Sequence, residues 1–250
     1  MLGVVRGFES HRHQKKVPFF VRVLVLIMQT GKPFRFHTPS SILVVGPSGC
    51  GKTVFTEKLL VDNPELFDTP PTQLHYCYGA WQDRFQGKQD QGVGFHEGIP
   101  DHEALVQWFP QGHGVLVLDD LMDEGSGDKR VLDLFTKHSH HQGVTVLYLC
   151  QDMFPVGRYA KSISRNAHYI VAFKNPRDQL GVRNVMLQSF PTTWKDTLET
   201  FHQATTRPYG YLVLDLHPAS SDQQRVLSHV LKDEGWTRTY QKRRSDQDVK

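Results

Sequence analysis

At 250 residues, the chain has the length of one large α/β domain and enough mass to bury a substantial core. Hydrophobic residues make up 38% and charged residues 22%, as in an ordinary soluble protein, and the absence of internal repeats and long low-complexity tracts excludes repeat and low-complexity architectures. The formal net charge of +3 is mildly basic, so it permits a nucleic-acid partner without requiring one.

The cysteines and the N-terminal segment indicate an intracellular compartment. Cys50, Cys77 and Cys150 lack the close pairing that a zinc site or a disulfide framework needs. Residues 19–28 are apolar, but this run is too short to span a bilayer, contains Arg22 and is followed by no small-residue cleavage site. We therefore expect an intracellular protein that is not secreted and has no membrane partner. Residues 1–30 are predicted to be an N-terminal extension outside the core.

The stretch "SILVVGPSGCGKTVF" at residues 41–55 matches the phosphate-loop pattern G-x-x-x-x-G-K-[ST] in full. Gly46 and Gly51 bracket four residues ahead of Lys52 and Thr53. The apolar run at 42–45 predicts a buried parallel strand, and residues 52–61 predict a helix. Strand, glycine loop and helix follow in the order that a phosphate-binding loop requires.

This order predicts a site for a nucleoside triphosphate and Mg²⁺. The glycines allow the backbone N–H groups to point at the β-phosphate, and the helix N-terminus adds partial positive charge. Lys52 can reach the β- and γ-phosphates, and the Thr53 hydroxyl can ligate Mg²⁺. The predicted nucleotide-binding residues are Gly46, Pro47, Ser48, Gly49, Cys50, Gly51, Lys52 and Thr53.

After the first helix, Pro64 and the Pro70–Pro71 pair indicate a loop, and residues 73–78 predict a strand. The polar stretch 82–98 is typical of surface elaboration. In "YGAWQDRF", Trp81 and Gln82 are either packed residues or part of a loop facing nucleotide or DNA. Residues 101–109 predict a short helix that ends at Pro110.

The motif "GVLVLDDLMDE" is typical of a Walker B strand. Residues 115–118 predict a second buried strand that carries Asp119 and Asp120 to the carboxyl edge of the sheet, beside the phosphate loop. Asp119 is predicted to hold Mg²⁺ through its water shell, and Asp120 to orient or activate the attacking water.

The next elements place at the same edge a polar residue that is either a sensor or simply the end of a strand. Residues 126–138 predict a helix, and 144–149 predict a strand that ends before Gln151. A polar group at the tip of a buried strand needs a partner, and a γ-phosphate or its attacking water would be one. A strand directly after the Walker B strand favours the subclass of phosphate-loop folds with an additional central strand.

The rest of the chain predicts further elements and a tail. Residues 169–173 predict a strand and 211–216 a late strand at an edge, with Asp215 as a loop-forming residue. A helix starts within "NPRDQLGVRNVM". From residue 232 onward the sequence is polar and charged, which predicts a frayed basic tail at 232–250 and confines the ATPase domain to 31–231.

Six sequence blocks carry a resemblance to a known family. The blocks are "FRFHTPSSILVVGPSGCGKTVFTEKLL", "HYCYGAWQDRF", "VLVLDDLMDE", "LFTKHSHHQGVTVLYLCQDMF", "AHYIVAFKNPRDQ" and "PYGYLVLDLHP". In this order, from about residue 34 to about residue 218, they resemble the poxvirus-type genome-packaging ATPases of the FtsK/HerA superfamily. The version in Maverick/Polinton elements and adenovirus-like viruses is the most similar.

The resemblance implies a three-layer α/β phosphate-loop fold with a mainly parallel central sheet, of the additional-strand RecA/FtsK-like class. It implies an ATPase that uses ATP and Mg²⁺ to move double-stranded viral DNA into a capsid as a homo-oligomeric ring, with a viral capsid or portal protein as partner, where virions assemble in the host cytoplasm or nucleus. By position, Gln151 is the sensor. Family members often have asparagine after this glutamine, where the chain has Asp152.

A ring motor of this kind also needs an arginine from a neighbouring subunit to stabilise the transferring phosphoryl group. The candidates are Arg158, Arg165 and Arg177, of which Arg177 in "NPRD" is preferred. Where the family suggests an arginine near "YAKSIS", the chain has Lys161, which cannot make the same bidentate contact.

Other interpretations stay open. His138, His140 and His141 fit no defined zinc spacing, so they are either polar loop residues or part of a subunit or DNA interface. The chain could also be a nucleotide-binding, DNA- or capsid-interacting protein without turnover. A small-molecule kinase is disfavoured because no acceptor site or arginine-rich lid is evident.

Overall fold

The computed structural model describes residues 26–28, 34–89, 92–121, 127–138, 142–154 and 156–241. Within these residues, ten strands form one sheet. They are β1 (Leu26–Met28), β2 (Ser41–Val45), β3 (Gln73–Tyr78), β4 (Val93–Glu97), β5 (Gly114–Asp119), β6 (Val144–Cys150), β7 (Tyr169–Phe173), β8 (Tyr211–Asp215), β9 (Val226–Ser228) and β10 (Arg238–Gln241).

The strand order is β1-β10-β9-β8-β7-β2-β6-β5-β3-β4. The strands from β7 to β4 in this order pair in parallel, and β8, β9, β10 and β1 extend the sheet with antiparallel pairs. Strand β6 lies between β2, which precedes the glycine loop, and β5, which carries the acidic pair. The predicted α/β class with an additional central strand is therefore confirmed.

Helices cover both faces of the sheet. The α-helices are α1 (Lys52–Glu57), α2 (His102–Trp108), α3 (Lys129–Asp133), α4 (Ala160–Arg165), α5 (Gln179–Ser189) and α6 (Trp194–Ala204). Two π-helical turns, Lys58–Asp62 and Leu134–His138, continue α1 and α3, and 3₁₀ turns occur at Pro64–Leu66, Asp83–Phe85, Asp222–Gln224 and Lys232–Glu234. Asp101 begins α2 as its N-cap, because its carboxylate accepts the Ala104 N–H at 2.8 Å.

Apolar residues alternate between two cores because successive side chains of a strand point to opposite faces. On β2, Leu43 and Val45 pack into the core that is covered by α2 to α6, whereas Ile42 and Val44 pack into the core under α1. All the β2 residues are buried, as the continuous apolar run predicts for a central strand. These are the expected three layers, with the sheet in the middle.

Two sequence-based predictions about the sheet need correction. The stretch 82–98, expected to be surface elaboration, contributes β4, which pairs with β3 at the edge of the sheet. Strand β8 is not at an edge, because it pairs with β7 on one side and β9 on the other.

The tail predicted at 232–250 also begins too early. Residues 238–241 form β10, which pairs with both β9 and β1, and Thr239 within it is fully buried. Within the predicted extension at 1–30, residues 26–28 pair with β10. Residues 1–25 and 242–250 lie outside the described residues.

Candidate functional site

The carboxyl ends of the central strands meet at one edge of the sheet. Register aligns Val45 at the end of β2 with Cys150 at the end of β6, and Tyr78 at the end of β3 with Asp119 at the end of β5. The Gly46 N–H donates to the Cys150 carbonyl at 3.1 Å, so the glycine loop starts beside the residue that follows β6. The sheet therefore brings the loop, the acidic pair and Gln151 to the same place.

The glycines of the loop are required by its geometry. Gly49 and Gly51 have φ angles of +76° and +106°, which favour glycine. At Gly46, a Cβ atom would lie 2.6 Å from Cys50 Sγ and 2.7 Å from Phe173 Cβ, so no side chain fits there. The loop can curl tightly because these three positions carry no side chain.

Lys52 holds its positive charge within the loop. Its ammonium group donates to the carbonyls of Gly46 at 2.6 Å and Pro47 at 3.2 Å. Among the described residues, Lys52 makes no ion pair with a carboxylate. Because only neutral carbonyls satisfy this cation, the loop fits an anionic phosphate as its counter-charge.

Asp119 is held by two hydroxyl groups. It is 6% exposed, and its Oδ2 accepts hydrogen bonds from the Tyr76 hydroxyl at 2.6 Å and from Thr53 Oγ1 at 3.3 Å. Burial raises the pKa of the Asp119 carboxyl, and the hydrogen bonds from Tyr76 and Thr53 oppose this rise. Burial and the nearby Asp119 raise the pKa of Tyr76, so the phenol remains a donor.

The neighbouring oxygens of Thr53 and Asp119 suit Mg²⁺. This cation takes oxygen ligands and is held in nucleotide sites by one or two protein groups together with phosphates and water. The residues present therefore fit the predicted metal, which Thr53 would bind directly and Asp119 would hold through the water shell.

Asp120 occupies a constrained turn after β5. Its φ angle is +57°, and a Cβ atom on Gly79 would lie 2.0 Å from the Asp120 carbonyl oxygen. The Gly79 N–H donates to the Asp119 carbonyl at 3.1 Å, so the end of β3 packs directly on the acidic pair. A left-handed backbone at a non-glycine residue that lines a cavity is typical of a functional site.

These groups surround a cavity of about 590 Å³, which is within the usual range for small-molecule sites. Of the predicted residues, Ser48, Gly49, Gly51, Lys52, Thr53, Asp119, Asp120 and Gln151 line it. Gly46, Pro47 and Cys50 complete the loop behind this lining. We call this space the site cavity.

Asp152 does not line the site cavity. Its Oδ1 and the Gln151 carbonyl both accept from Asn175 Nδ2 at 3.1 Å, and Asn175 follows β7. The Asp152 carboxylate is therefore used in joining two loops. Asp152, at the position where the resembling family often has asparagine, therefore adds no negative charge to the cavity wall.

The candidate arginines also lie away from the cavity of their own chain. Arg177 is exposed in the loop after β7, where its N–H donates to Asn175 Oδ1 at 3.0 Å. Arg158 stacks over the Tyr159 ring with 5.3 Å between the guanidinium carbon and the ring centroid, and Arg165 is exposed at the end of α4. Lys161, also on α4, is exposed and outside the lining.

Several residues that line or support the cavity were not predicted from the sequence. Tyr76 has no motif that marks it, although it lies on the strand beside β5. Arg84 lines the cavity from the loop after β3, next to Gln82, for which the sequence left both packing and a loop facing nucleotide or DNA open. Tyr209 and Glu234 line its opposite end, and Glu234 belongs to the segment predicted to be a tail.

Within the described part of the chain, no three His, Cys, Asp or Glu residues form a group that could hold a metal ion. The side chain of His138 and the whole of residues 139–141 lie outside that part. A search of the same residues finds no helix with the length and apolar character needed to cross a membrane.

The fold of this chain is similar to that of a protein of known structure. No protein-family profile matches the chain, and no curated protein matches it significantly. The genome packaging NTPase B204 from Sulfolobus turreted icosahedral virus 2 is similar in two solved structures. The complex with ATP-gammaS has a TM-score of 0.52 at 12% identity, covering 82% of this chain and 98% of that one. The complex with sulfate has a TM-score of 0.51 at 15% identity, covering 76% and 95%. These matches show a phosphate-loop NTPase fold.

Proposed function

We propose that the protein is an ATPase that uses ATP and Mg²⁺ to translocate double-stranded DNA into a viral or virus-like capsid. The observation that carries the ATPase part is the convergence of Lys52, Thr53, Asp119, Asp120 and Gln151 on the site cavity. Lys52 lies on its loop side, and the carboxylates of Asp119 and Asp120 lie on the side of β5. This is the distribution of charge that a triphosphate with a divalent cation requires.

Each residue has a role that follows from its position. The loop N–H groups and Lys52 bind the phosphates and stabilise the charge that develops during transfer. Thr53 and Asp119 hold the cation, which neutralises phosphate charge when bound. Asp120 lies on the same wall with its carboxyl exposed, where it can orient the attacking water. Gln151 lies between the loop and β5, where its amide can contact the γ-phosphate or that water.

Translocation of DNA rests on the six sequence blocks and on the likeness of fold to a viral genome packaging NTPase. The mildly basic charge of the chain is compatible with a DNA partner. A capsid or portal protein would be the second partner.

The test is ATP hydrolysis with and without double-stranded DNA. We expect DNA to raise the rate, Lys52→Ala and Asp119→Ala to abolish it, and Lys195→Ala to leave it unchanged, because Lys195 is exposed on α6 outside the cavity. DNA binding should weaken as salt increases, since phosphate contacts release counterions. Hydrolysis that DNA does not affect would contradict translocation, and hydrolysis that survives Lys52→Ala would contradict the site.

We further propose that the ATPase works as a homo-oligomeric ring in which Arg177 completes the site of a neighbouring subunit. Its exposure and its distance from its own cavity support this arrangement. Arg177→Ala and Lys52→Ala should each be inactive alone. Their mixture should recover part of the activity, because a Lys52→Ala subunit still offers Arg177 to an intact site. No recovery in mixed oligomers would contradict a shared site.

A further inference from the structure

Tyr209 is an exposed aromatic residue in an unusual backbone conformation. It lies in the loop between α6 and β8, the residue is 71% exposed, and its φ angle is +59°. Bulky residues rarely adopt this left-handed region, and where they do the conformation stores strain. Burial does not offset this strain, because the residue is mostly exposed to solvent.

The ring lies on the wall of the site cavity, next to the phosphate loop. A Cβ atom added to Gly51 would be 3.2 Å from Tyr209 Cδ1 and 3.5 Å from Tyr209 Cβ. The aromatic side chain therefore lies beside the last glycine of the loop. Tyr211, which also lines the cavity, begins β8, and three strands (β7, β2 and β6) separate β8 from β5 in the sheet. Tyr209 therefore lies at the end of the cavity away from the carboxylates that follow β5.

A single carboxylate holds the chain on both sides of Tyr209. Glu234 accepts hydrogen bonds from the guanidinium of Arg207 and from the hydroxyl of Tyr211. The Tyr211 hydroxyl also accepts the Val230 N–H at 3.1 Å. Residues two positions before and two positions after Tyr209 are thus bound to the same side chain, which fixes the turn that presents the ring.

The segment that carries Glu234 is itself joined to the phosphate-loop helix. Lys58 Nζ donates to Asp233 Oδ2 at 2.5 Å, and the Lys232 N–H donates to Asn63 Oδ1 at 2.8 Å. Lys58 and Asn63 lie in and directly after the π-helical turn that continues α1. The position of Tyr209 is therefore set relative to the phosphate loop by contacts from three parts of the chain.

We propose that Tyr209 is the platform on which the nucleotide base stacks, with Glu234 as the residue that positions it. This inference rests on the proposed nucleotide site. A strained, exposed aromatic ring that is fixed at the cavity wall gains a contact only when a planar group covers it. When phosphates occupy the loop beside Gly51, the base is the planar part of the ligand that can reach the ring. Aromatic rings stack on any base, so the contact favours nucleoside triphosphates over bare polyphosphate.

The experiment compares two probes, ATP and inorganic tripolyphosphate, each with Mg²⁺, by calorimetric titration. Tyr209→Ala should weaken ATP binding roughly 5- to 150-fold, the range of one lost base-stacking contact, and leave tripolyphosphate binding unchanged. Tyr209→Phe should retain wild-type affinity for both. Trp236→Ala serves as the control, because Trp236 is another exposed aromatic residue (76%) that does not line the cavity.

Glu234→Ala should reproduce the selective loss of ATP affinity, and Glu234→Gln should restore part of it, since the amide oxygen still accepts hydrogen bonds. Equal weakening of both probes by Tyr209→Ala, or no weakening of either, would overturn the platform while leaving the nucleotide site intact. A wild-type protein that binds neither probe would overturn the nucleotide site and the platform together.

Discussion

Replacing Tyr76 with phenylalanine removes one oxygen atom from beside Asp119 and little else. Tyr76 is buried on β3 among aromatic residues, with its ring centroid 4.9 Å from that of Phe85. Phenylalanine keeps this packing. The lost group is the hydroxyl that donates to Asp119 Oδ2 at 2.6 Å, after which Thr53 at 3.3 Å is the remaining donor to that oxygen.

The expected magnitude follows from the charge of the acceptor. A hydrogen bond to a charged group contributes roughly 1.5 to 3 kcal/mol, which corresponds to roughly a 10- to 150-fold change in an equilibrium or a rate. Because the Tyr76 hydrogen bond lowers the pKa of Asp119 against the effect of burial, its loss raises that pKa further. The ionised carboxylate that would hold the proposed cation is then less populated at acidic pH and less well placed at any pH.

The assay is steady-state ATP hydrolysis at saturating Mg²⁺, measured from acidic to neutral pH. Tyr76→Phe should lower kcat/KM by roughly 10- to 150-fold and move the acidic limb of the pH profile to higher pH. Tyr148→Phe is the matched control. Tyr148 is buried in the same sheet on β6 but faces the opposite core, so its loss of a hydroxyl leaves Asp119 untouched.

Two results would refute this reasoning. If Tyr76→Phe has the wild-type rate and pH profile, the hydrogen bond does not control the carboxylate. If Tyr148→Phe loses as much activity as Tyr76→Phe, the effect belongs to the packing of the sheet.

Asp119→Asn should abolish hydrolysis and yet increase the stability of the nucleotide-free protein. The folded carboxyl has a raised pKa, so its contribution to stability falls as the pH rises above the ordinary carboxyl range. Urea unfolding should show no gain for the variant at low pH and a gain at neutral pH, and a less stable variant at neutral pH would contradict this account. Gly79→Ala should greatly lower turnover, because the added Cβ would lie 2.0 Å from the Asp120 carbonyl oxygen and displace the acidic turn; wild-type kcat would show that this turn tolerates movement. Removal of residues 232–250 should lower the melting temperature and the ATP affinity relative to the full chain, because it deletes β10 and the Glu234 segment. Unchanged values would contradict a structural role for this segment.

The central half of the fold could be predicted from the sequence because its signals are local. A buried parallel strand reads as a continuous apolar run, and the run at 73–78 gives β3 with the bounds that the structure has. The glycine loop and the acidic pair have fixed spacings. Their meeting at one edge follows from the general rule for parallel strands.

The edge strands and the far end of the cavity could not be predicted, because their partners are distant in sequence. Strand β10 has no apolar run in its sequence, although Thr239 within it is buried. The strand depends on its pairing with β9 and β1. Glu234 contacts Tyr211, which lies 23 positions earlier in the chain, and no local sequence pattern predicts this contact. Tyr76 is similar, since its partner Asp119 is 43 positions away.

Asn175 gives the molecule a physical link between two sites that the proposed ring would keep in different subunits. Its amide nitrogen binds the Gln151 carbonyl, and its amide oxygen accepts the Arg177 N–H. The backbone of the residue that would detect the γ-phosphate in one cavity and the backbone of the residue that would act in the next are thus bound to the two polar atoms of one amide group. In the proposed ring, a displacement of the Gln151 backbone in one subunit would be passed through Asn175 to the loop whose arginine is offered to the neighbour.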